Sequence, residues 1–500
     1  MTAREPRALV LGAGVAGLTA ALELARRGLA VEVIEAAPFP GGRTASFTDA
    51  AGRAVDTGLH VVADHYVNLI ELLSSVGASK HLIWVDRHTY LRDGHPPLAW
   101  YFSPRRAPLH LLRPAREMPL APLERAALGA AVFELASYSQ RDLEALDHLT
   151  YRQWHDRRRL GAGFTLELAE AASDAATFLT VDEAAARAVI SWMKYLVRHR
   201  HAGDVGLFAG ALGDALIAPL VAAIEALGGR VRCGAAVTGL VVDGGRVTGV
   251  ELAPAAAGGP VNRADGLVAG LDATRARLDA DLVVSALPIQ ALRAILPPAL
   301  ARDAGLADAM KLTTTPALSA IVWFDRPIRP VPAGAPLCTG CAFRDFIDLA
   351  TLGRAAPDGP AVYQFVITRA AERLGDPDAR VIADVLADLR RVWPGARDAQ
   401  PVDAAVERIG AAMFAAVPGA HALRPPATTA LGGLYLAGDW IRHEANASME
   451  GAAISGRLAA SAALEALGQP PVRLLVPPDP TVIAPLRRLR RRLGRRRGAA

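Results

Sequence analysis

Cysteine, lysine and aromatic residues are scarce in this chain of 500 residues. Its three cysteines, Cys233, Cys338 and Cys341, are too few for a disulfide framework and point to a reducing cytoplasm. Cys338 and Cys341 form one CxxC with no second pair beside it, so the spacing predicts no metal or redox centre. Lysine occurs only at Lys80, Lys194 and Lys311, an arginine-biased usage rather than a nucleic-acid surface. No apolar run reaches the roughly 18 residues of a membrane-spanning helix. The first apolar run is short and leads into a glycine motif, so no signal peptide is expected. Neither HExxH nor GxSxG occurs. The histidines are scattered; His60, His65 and His443 read as structural. These absences leave no catalytic side chain assigned and no metal site.

Apolar residues make up 52% of the chain and charged ones 21%, enough for large cores. The length implies two or three domains. The formal charge of +5 is uneven: eight arginines lie between Arg487 and Arg497, and without them the remainder is −3. This tail is either a solvated terminus or an anchor for anionic lipid, at about 1 kcal/mol per basic residue near a bilayer. Leu486, Leu489 and Leu493 recur at roughly helical spacing and favour the anchor.

The stretch from Arg7 to Ala36, "RALVLGAGVAGLTAALELARRGLAVEVIEA", reads as strand, glycine turn, helix and strand. Gly12, Gly14 and Gly17 form GxGxxG: a tight turn, a close approach for pyrophosphate, and close helix–strand packing. The helix is predicted over about Val15 to Arg27 and the second strand over Val31 to Ile34. Glu35 follows, 18 residues after Gly17, where a carboxylate binds ribose hydroxyls and repels a 2′-phosphate. A dinucleotide other than NADP is therefore expected. "PFPGGRTASF" comes next; Gly41 and Gly42 allow a close ligand approach and Arg43 can pair with a diphosphate. Val55 to Gly58 is a predicted strand and Asn68 to Val76 a helix with Leu69, Leu72, Leu73 and Val76 on one face.

These motifs, with Asp56 to His60 (DTGLH) and the C-terminal "LAGDW…ASMEGAAISGR", resemble the flavin-containing amine oxidase and carotene desaturase superfamily. TGLH with ASMEGA is most similar to plant and cyanobacterial type phytoene and zeta-carotene desaturases, and also to hydroxysqualene dehydroxylases. The resemblance implies an α/β fold: a glutathione-reductase-like Rossmann FAD-binding domain built from discontinuous segments, plus an α+β substrate domain. The cofactor segments are expected at 1–85, 205–300 and 405–470, the helical and sheet parts of the substrate domain at 86–204 and 301–404, and a disordered basic tail at 471–500.

The cofactor implied is FAD, held by Gly12, Gly14, Ala16, Gly17, Glu35, Gly42, Arg43, Gly58, Leu59, Val237, Gly438, Asp439, Ser448 and Met449. Val237 would touch adenine through its backbone, or is plain strand core. Gly438 lets the strand Leu434 to Ala437 reach the flavin, and Asp439 accepts hydrogen bonds there. The helix opening at Ser448 would aim its N–H groups and positive end at flavin N1 and the C2 oxygen. Gly451 and Gly456 would allow close helix packing.

The implied substrate is a hydrophobic isoprenoid, desaturated by hydride transfer to flavin N5. Dehydroxylation, polyene isomerisation and amine oxidation are the alternatives. With one nucleotide fingerprint, a quinone or dioxygen is the expected electron acceptor. Trp100, Tyr101 and Phe102 beside Arg105, Arg106 and Arg113 suit a membrane interface, so peripheral attachment at the inner face of the membrane is expected.

Overall fold

The computed structural model describes residues 5–49, 52–101, 116, 118–199, 203–253, 276–330, 334–354, 360–478, 483, 485, 487 and 488. Most of the expected interface segment, 102–115, and of the arginine tail lies outside them.

A parallel sheet forms the first layer. Strand β1 (Arg7–Leu11) lies at its centre, with β2 (Ala30–Ile34) and Arg230–Arg232 on one side and Leu282–Ser285 and Leu434–Leu436 on the other. Every pairing in it is parallel. Helix α1 (Val15–Ala25) joins β1 to β2 and is buried along its whole length. Buried on both faces, these strands read as short apolar runs rather than alternating patterns. The discontinuous cofactor domain is thus present: the sheet draws strands from three distant stretches of chain.

Three antiparallel strands, Val237–Asp243, Arg246–Leu252 and Ala276–Asp279, pack beside it. Their first turn is Gly244–Gly245, both at positive φ (54° and 76°), a pairing that suits a tight hairpin.

The second domain is a seven-stranded mixed sheet ordered Pro401–Phe414, Thr314–Phe324, Ala361–Ile367, Asp345–Asp348, Leu337–Thr339, Arg87–Arg92 and Leu98–Tyr101. Helix Asp378–Val392 covers one face through Val381, Val385 and Leu389, against Leu318, Ala320, Val322 and Phe324. Alternation in Thr314–Phe324 sends Ile321 and Trp323 to the other face, where they meet Val55, Leu207 and Leu59. Helices between 122 and 198 add a third core around Trp154 and Val189.

Three expected boundaries move. Residues 301–312 belong with the cofactor layer, because Ala301, Ala304, Leu306, Ala309 and Leu312 pack with Leu9 and Leu11. The cut at 405 falls inside the single strand Pro401–Phe414, so the substrate sheet continues to about Phe414. The tail is not free from residue 471. Asn68 Nδ2 donates to Leu475 O at 2.9 Å, and Leu475 N donates to Asn68 Oδ1 at 2.9 Å. Val472 is buried, and Ile483 packs with Ala136 and Val197. A proline-rich stretch can still be ordered when its few N–H groups find fixed acceptors.

Candidate functional site

The ends of the parallel strands converge, as in open α/β sheets, where ligands sit outside the carboxyl ends. Gly12 follows β1 at φ 97°, and its N–H donates to Ile34 O at 2.8 Å. Gly17 is there for packing: a Cβ would lie 1.9 Å from Gly12 O. Gly14 differs, since a Cβ there would meet nothing within 4 Å. It precedes α1, whose first turn has no capping side chain and no acidic residue. The helix therefore presents uncapped N–H donors and its positive end to open space beside Gly14, a fit for a pyrophosphate. Ala16 lies buried in that first turn.

The GGR loop locks onto this turn. Gly41 N donates to Ala13 O at 2.9 Å, and a Cβ on Gly42 would sit 3.4 Å from Gly14 Cα. Glu35 accepts from Ala13 N and Ala37 N, both at 2.8 Å. Burial pushes its carboxyl pKa up, while these backbone donors oppose the rise. Glu35 N donates to Arg232 O, and Ala235 N to Glu35 O, so the stretch 230–235 packs against the Glu35 end of the sheet. Val237 opens the antiparallel layer two residues on, its side chain partly buried with Leu9, Leu11 and Ile34.

Arg43 and Asp439 are 396 positions apart in the chain and bound to each other. Arg43 Nη2 meets Asp439 Oδ1 at 2.7 Å and Nη1 meets Oδ2 at 2.9 Å. Arg43 Nη1 also donates to Ala412 O at 2.8 Å, tying the pair to the substrate sheet. Diphosphate and flavin groups were expected as their separate partners; the structure commits most of the guanidinium fork to the carboxylate. Gly438, at φ 131°, gives its N–H to Ser455 Oγ at 2.8 Å. Ser448 caps helix Met449–Ala466, its Oγ accepting from Gly451 N at 3.1 Å, and Met449 is buried. Gly456 is where this helix presses on α1: a Cβ would lie 2.4 Å from Ala16 O. Gly451 does not serve helix packing. Its Cβ would strike Asn446 O at 2.5 Å and His443 Cε1 at 2.7 Å, in the loop before the helix.

The DTGLH segment bridges the domains. Asp56 takes Arg354 Nη1 at 2.6 Å and Leu212 N at 3.2 Å. Thr57 N donates to Ala45 O at 3.1 Å. Gly58 O meets His60 Nδ1 at 2.9 Å, and Leu59 packs on the substrate-sheet cluster of Ile321 and Trp323. Burial holds His60 and His443 below the ordinary histidine pKa, keeping both rings neutral. Beside Leu59's cluster lies a cavity of about 510 Å³, lined by Ile321, Trp323, Leu349 and Val362 with Arg53, Arg354 and Asp214. That volume is in the range of ligand sites.

A buried polar network was missed by the sequence reading. Glu450 accepts from Asn68 Nδ2 at 2.8 Å and Leu69 N at 2.7 Å, capping helix Val67–Ser75. Arg457 reaches Glu23 Oε1 at 3.2 Å, Asn68 Oδ1 at 3.1 Å and Glu71. The available signal was Glu450 and Arg457 spaced seven apart, two turns along one face of a small-residue helix. Among the described residues no group of three metal-ligating side chains comes together, and no helix is long and apolar enough to cross a membrane.

A parallel sheet ending in a glycine cradle, a buried carboxylate after its second strand and a second helix N-terminus is the arrangement of a dinucleotide-binding fold. The chain belongs to the flavin-containing amine oxidoreductase family, whose model matches residues 15–464. It is an FAD-dependent enzyme. Among curated relatives it is 25% identical to a probable zeta-carotene desaturase of Synechococcus elongatus, over 92% of this chain and 99% of that one. It is 24% identical to a 15-cis-phytoene desaturase of the same organism, over 91% and 95%. An oxidoreductase from Methanosarcina mazei superposes with a TM-score of 0.66 at 19% identity, covering 92% of this chain and all of that one. Cyclohexylamine oxidase from Brevibacterium oxydans gives 0.64 at 20% identity, covering 93% and 100%.

Proposed function

We propose that this enzyme desaturates a hydrophobic isoprenoid of the carotenoid type. The observation that carries the reading is the match to two carotene desaturases over more than nine-tenths of the chain, substrate domain included. The apolar wall of Ile321, Trp323, Leu349 and Val362 supports it.

In this reading the uncapped start of α1 holds the pyrophosphate and Glu35 the ribose. The Arg43–Asp439 pair, Gly438, Gly58 and Leu59 would line the approach to the isoalloxazine. When bound, FAD supplies the acceptor for a hydride leaving an allylic carbon. The N-terminus of helix Met449–Ala466 would stabilise negative charge on a flavin bound beside it. The adjacent carbon would pass its proton to water at the mouth of the cavity; allylic delocalisation spreads the developing positive charge, so a strong protein base is not required. The substrate sheet and the helices between 122 and 198 exclude water and orient the chain. A quinone or dioxygen, rather than NAD(P), takes the electrons on. The arginine tail brings the enzyme to anionic lipid, where such a substrate dissolves.

Anaerobic mixing with phytoene- or zeta-carotene-type polyenes should bleach the flavin absorbance, with a product two hydrogens lighter. Loss of one oxygen would instead mean dehydroxylation, and unchanged mass isomerisation. No bleaching by isoprenoids of any length, with turnover of an amine, would sink the desaturase reading.

A further inference from the structure

A second cavity, of only about 20 Å³, lies where several parts of the molecule meet, with Asp147 and the end of helix Phe164–Thr177 among them. Its walls are the start of helix Ala186–Arg198, the end of strand Pro401–Phe414, helix Ala420–Leu423, and Asn446 and Ala447 just before the Ser448 cap. A space this size takes a water or one small polar group.

Two arginines face it. Arg187 is 3% exposed, yet its Nε and Nη2 find no hydrogen-bond partner among the described residues. Arg424 is 2% exposed and gives its donors to backbone oxygens: Trp440 O at 3.2 Å, Asp439 O at 3.0 Å, and Ile441 O. It also stands 3.0 Å from His443 Nε2 and 3.4 Å from His421 Nδ1, and no carboxylate accepts from it among the described residues. Burial lowers the Arg424 pKa to about 9, which leaves it charged at neutral pH. His421, also in the wall, is held neutral by burial, its pKa down at about 3. Asp147 is the one acidic side chain among the lining residues, but Glu444 acts on Arg187 more strongly than Asp147 does, and Glu144 and Arg442 act on it as well. What the cavity lacks is an acceptor for Arg187 rather than charge balance in the neighbourhood. A buried guanidinium with idle donors is costly unless an acceptor meets it.

We propose that this cavity is a binding site for a single-charged oxyanion such as a carboxylate, held by the idle donors of Arg187 beside the Arg424 charge. Its oxygens satisfy the idle Arg187 donors, and the small space admits one such group. Arg424 also donates to Asp439 O, and the Asp439 carboxylate pairs with Arg43. An anion here is thus linked to the cofactor edge through two residues, and the flavin spectrum reports its arrival. The site does not depend on which substrate the larger cavity takes. The oxyanion could be free in solution or the head group of a longer ligand.

The test uses the full-length FAD-loaded protein titrated with sodium acetate, ionic strength held with sodium sulfate. A saturable flavin difference spectrum and a parallel rise in melting temperature are expected. Arg187→Met should weaken acetate at least tenfold. Ala176→Leu, which fills the cavity from helix Phe164–Thr177, should abolish the response with FAD content unchanged, and it decides the matter if Arg187→Met does not hold FAD. Extending the probe from acetate to octanoate separates the sources. Affinity that rises with chain length marks a head group, flat affinity a free anion, and either supports the site. No saturable response in the wild type would mean that water alone occupies the cavity, and an undiminished response in both variants would place the anion elsewhere; each overturns the proposal.

Discussion

Replacing Gly456 by alanine tests how the cofactor layer is held together. The added Cβ would lie 2.4 Å from Ala16 O, 2.8 Å from Thr19 Cβ and 3.0 Å from Ala20 N. Ordinary contact begins near 3.4 Å, so the helices must separate by about 1 Å. The obstacle is backbone, which cannot swing away. Overpacking of this kind costs about 1–3 kcal/mol. For a cooperative unit of about 250 residues, that lowers the melting temperature by about 2–6 °C. The separation also displaces the two helix N-termini that the proposed reading places at the cofactor, so FAD should be lost on gel filtration. The assays are thermal unfolding and the ratio of flavin to protein absorbance. Gly129 is the control: it sits in helix Pro122–Ser137 with nothing within 4 Å of a built Cβ. Gly129→Ala should be neutral or stabilise by about 0.4–1 kcal/mol. A Gly456→Ala protein that keeps its FAD and its melting temperature would refute the close contact between the two helices.

Other outcomes follow from single contacts. Arg43→Met strands the buried Asp439 carboxylate and should destabilise by about 3–5 kcal/mol, with weaker FAD retention; urea unfolding of variant and wild type checks it. His65 is buried against Tyr195, with ring centroids 4.6 Å apart, and burial, aided by the His199 charge, holds its pKa down at about 3. The unfolded chain takes up that proton near pH 6.5, so stability is full above this value and falls as pH drops towards 3. From pH 8 to 5 the loss from this group is about 2 kcal/mol, and His65→Phe should remove it from the urea midpoints. A cut after Arg488 should leave FAD content unchanged while weakening binding to anionic vesicles. Vesicle binding by the full chain should fall as salt rises from 0.1 to 1 M and the Debye length shrinks from about 10 to 3 Å.

The βαβ unit was legible because its signals are local. GxGxxG, an apolar helix and Glu35 span fewer than thirty residues, and each glycine answers a steric demand within that span. Helix Val67–Ser75 was legible too, since Leu69, Leu72 and Leu73 repeat at the helical period. The sequence alone also determined the family and, with it, the flavin. What only the tertiary structure decided depends on distant partners. Strand Pro401–Phe414 pairs with Thr314–Phe324 across some ninety residues, so no local pattern could show that residue 405 lies mid-strand. Arg43 and Asp439 each read as a ligand group; packing made them partners. Glu450, Asn68 and Arg457 become one network only when the last helix lies beside the second. Arg187 and Arg424 face one cavity because a helix of the substrate domain meets the end of its sheet. Glycine turns and helical periods are properties of a segment, whereas a buried charge takes its partner from whatever the fold brings alongside.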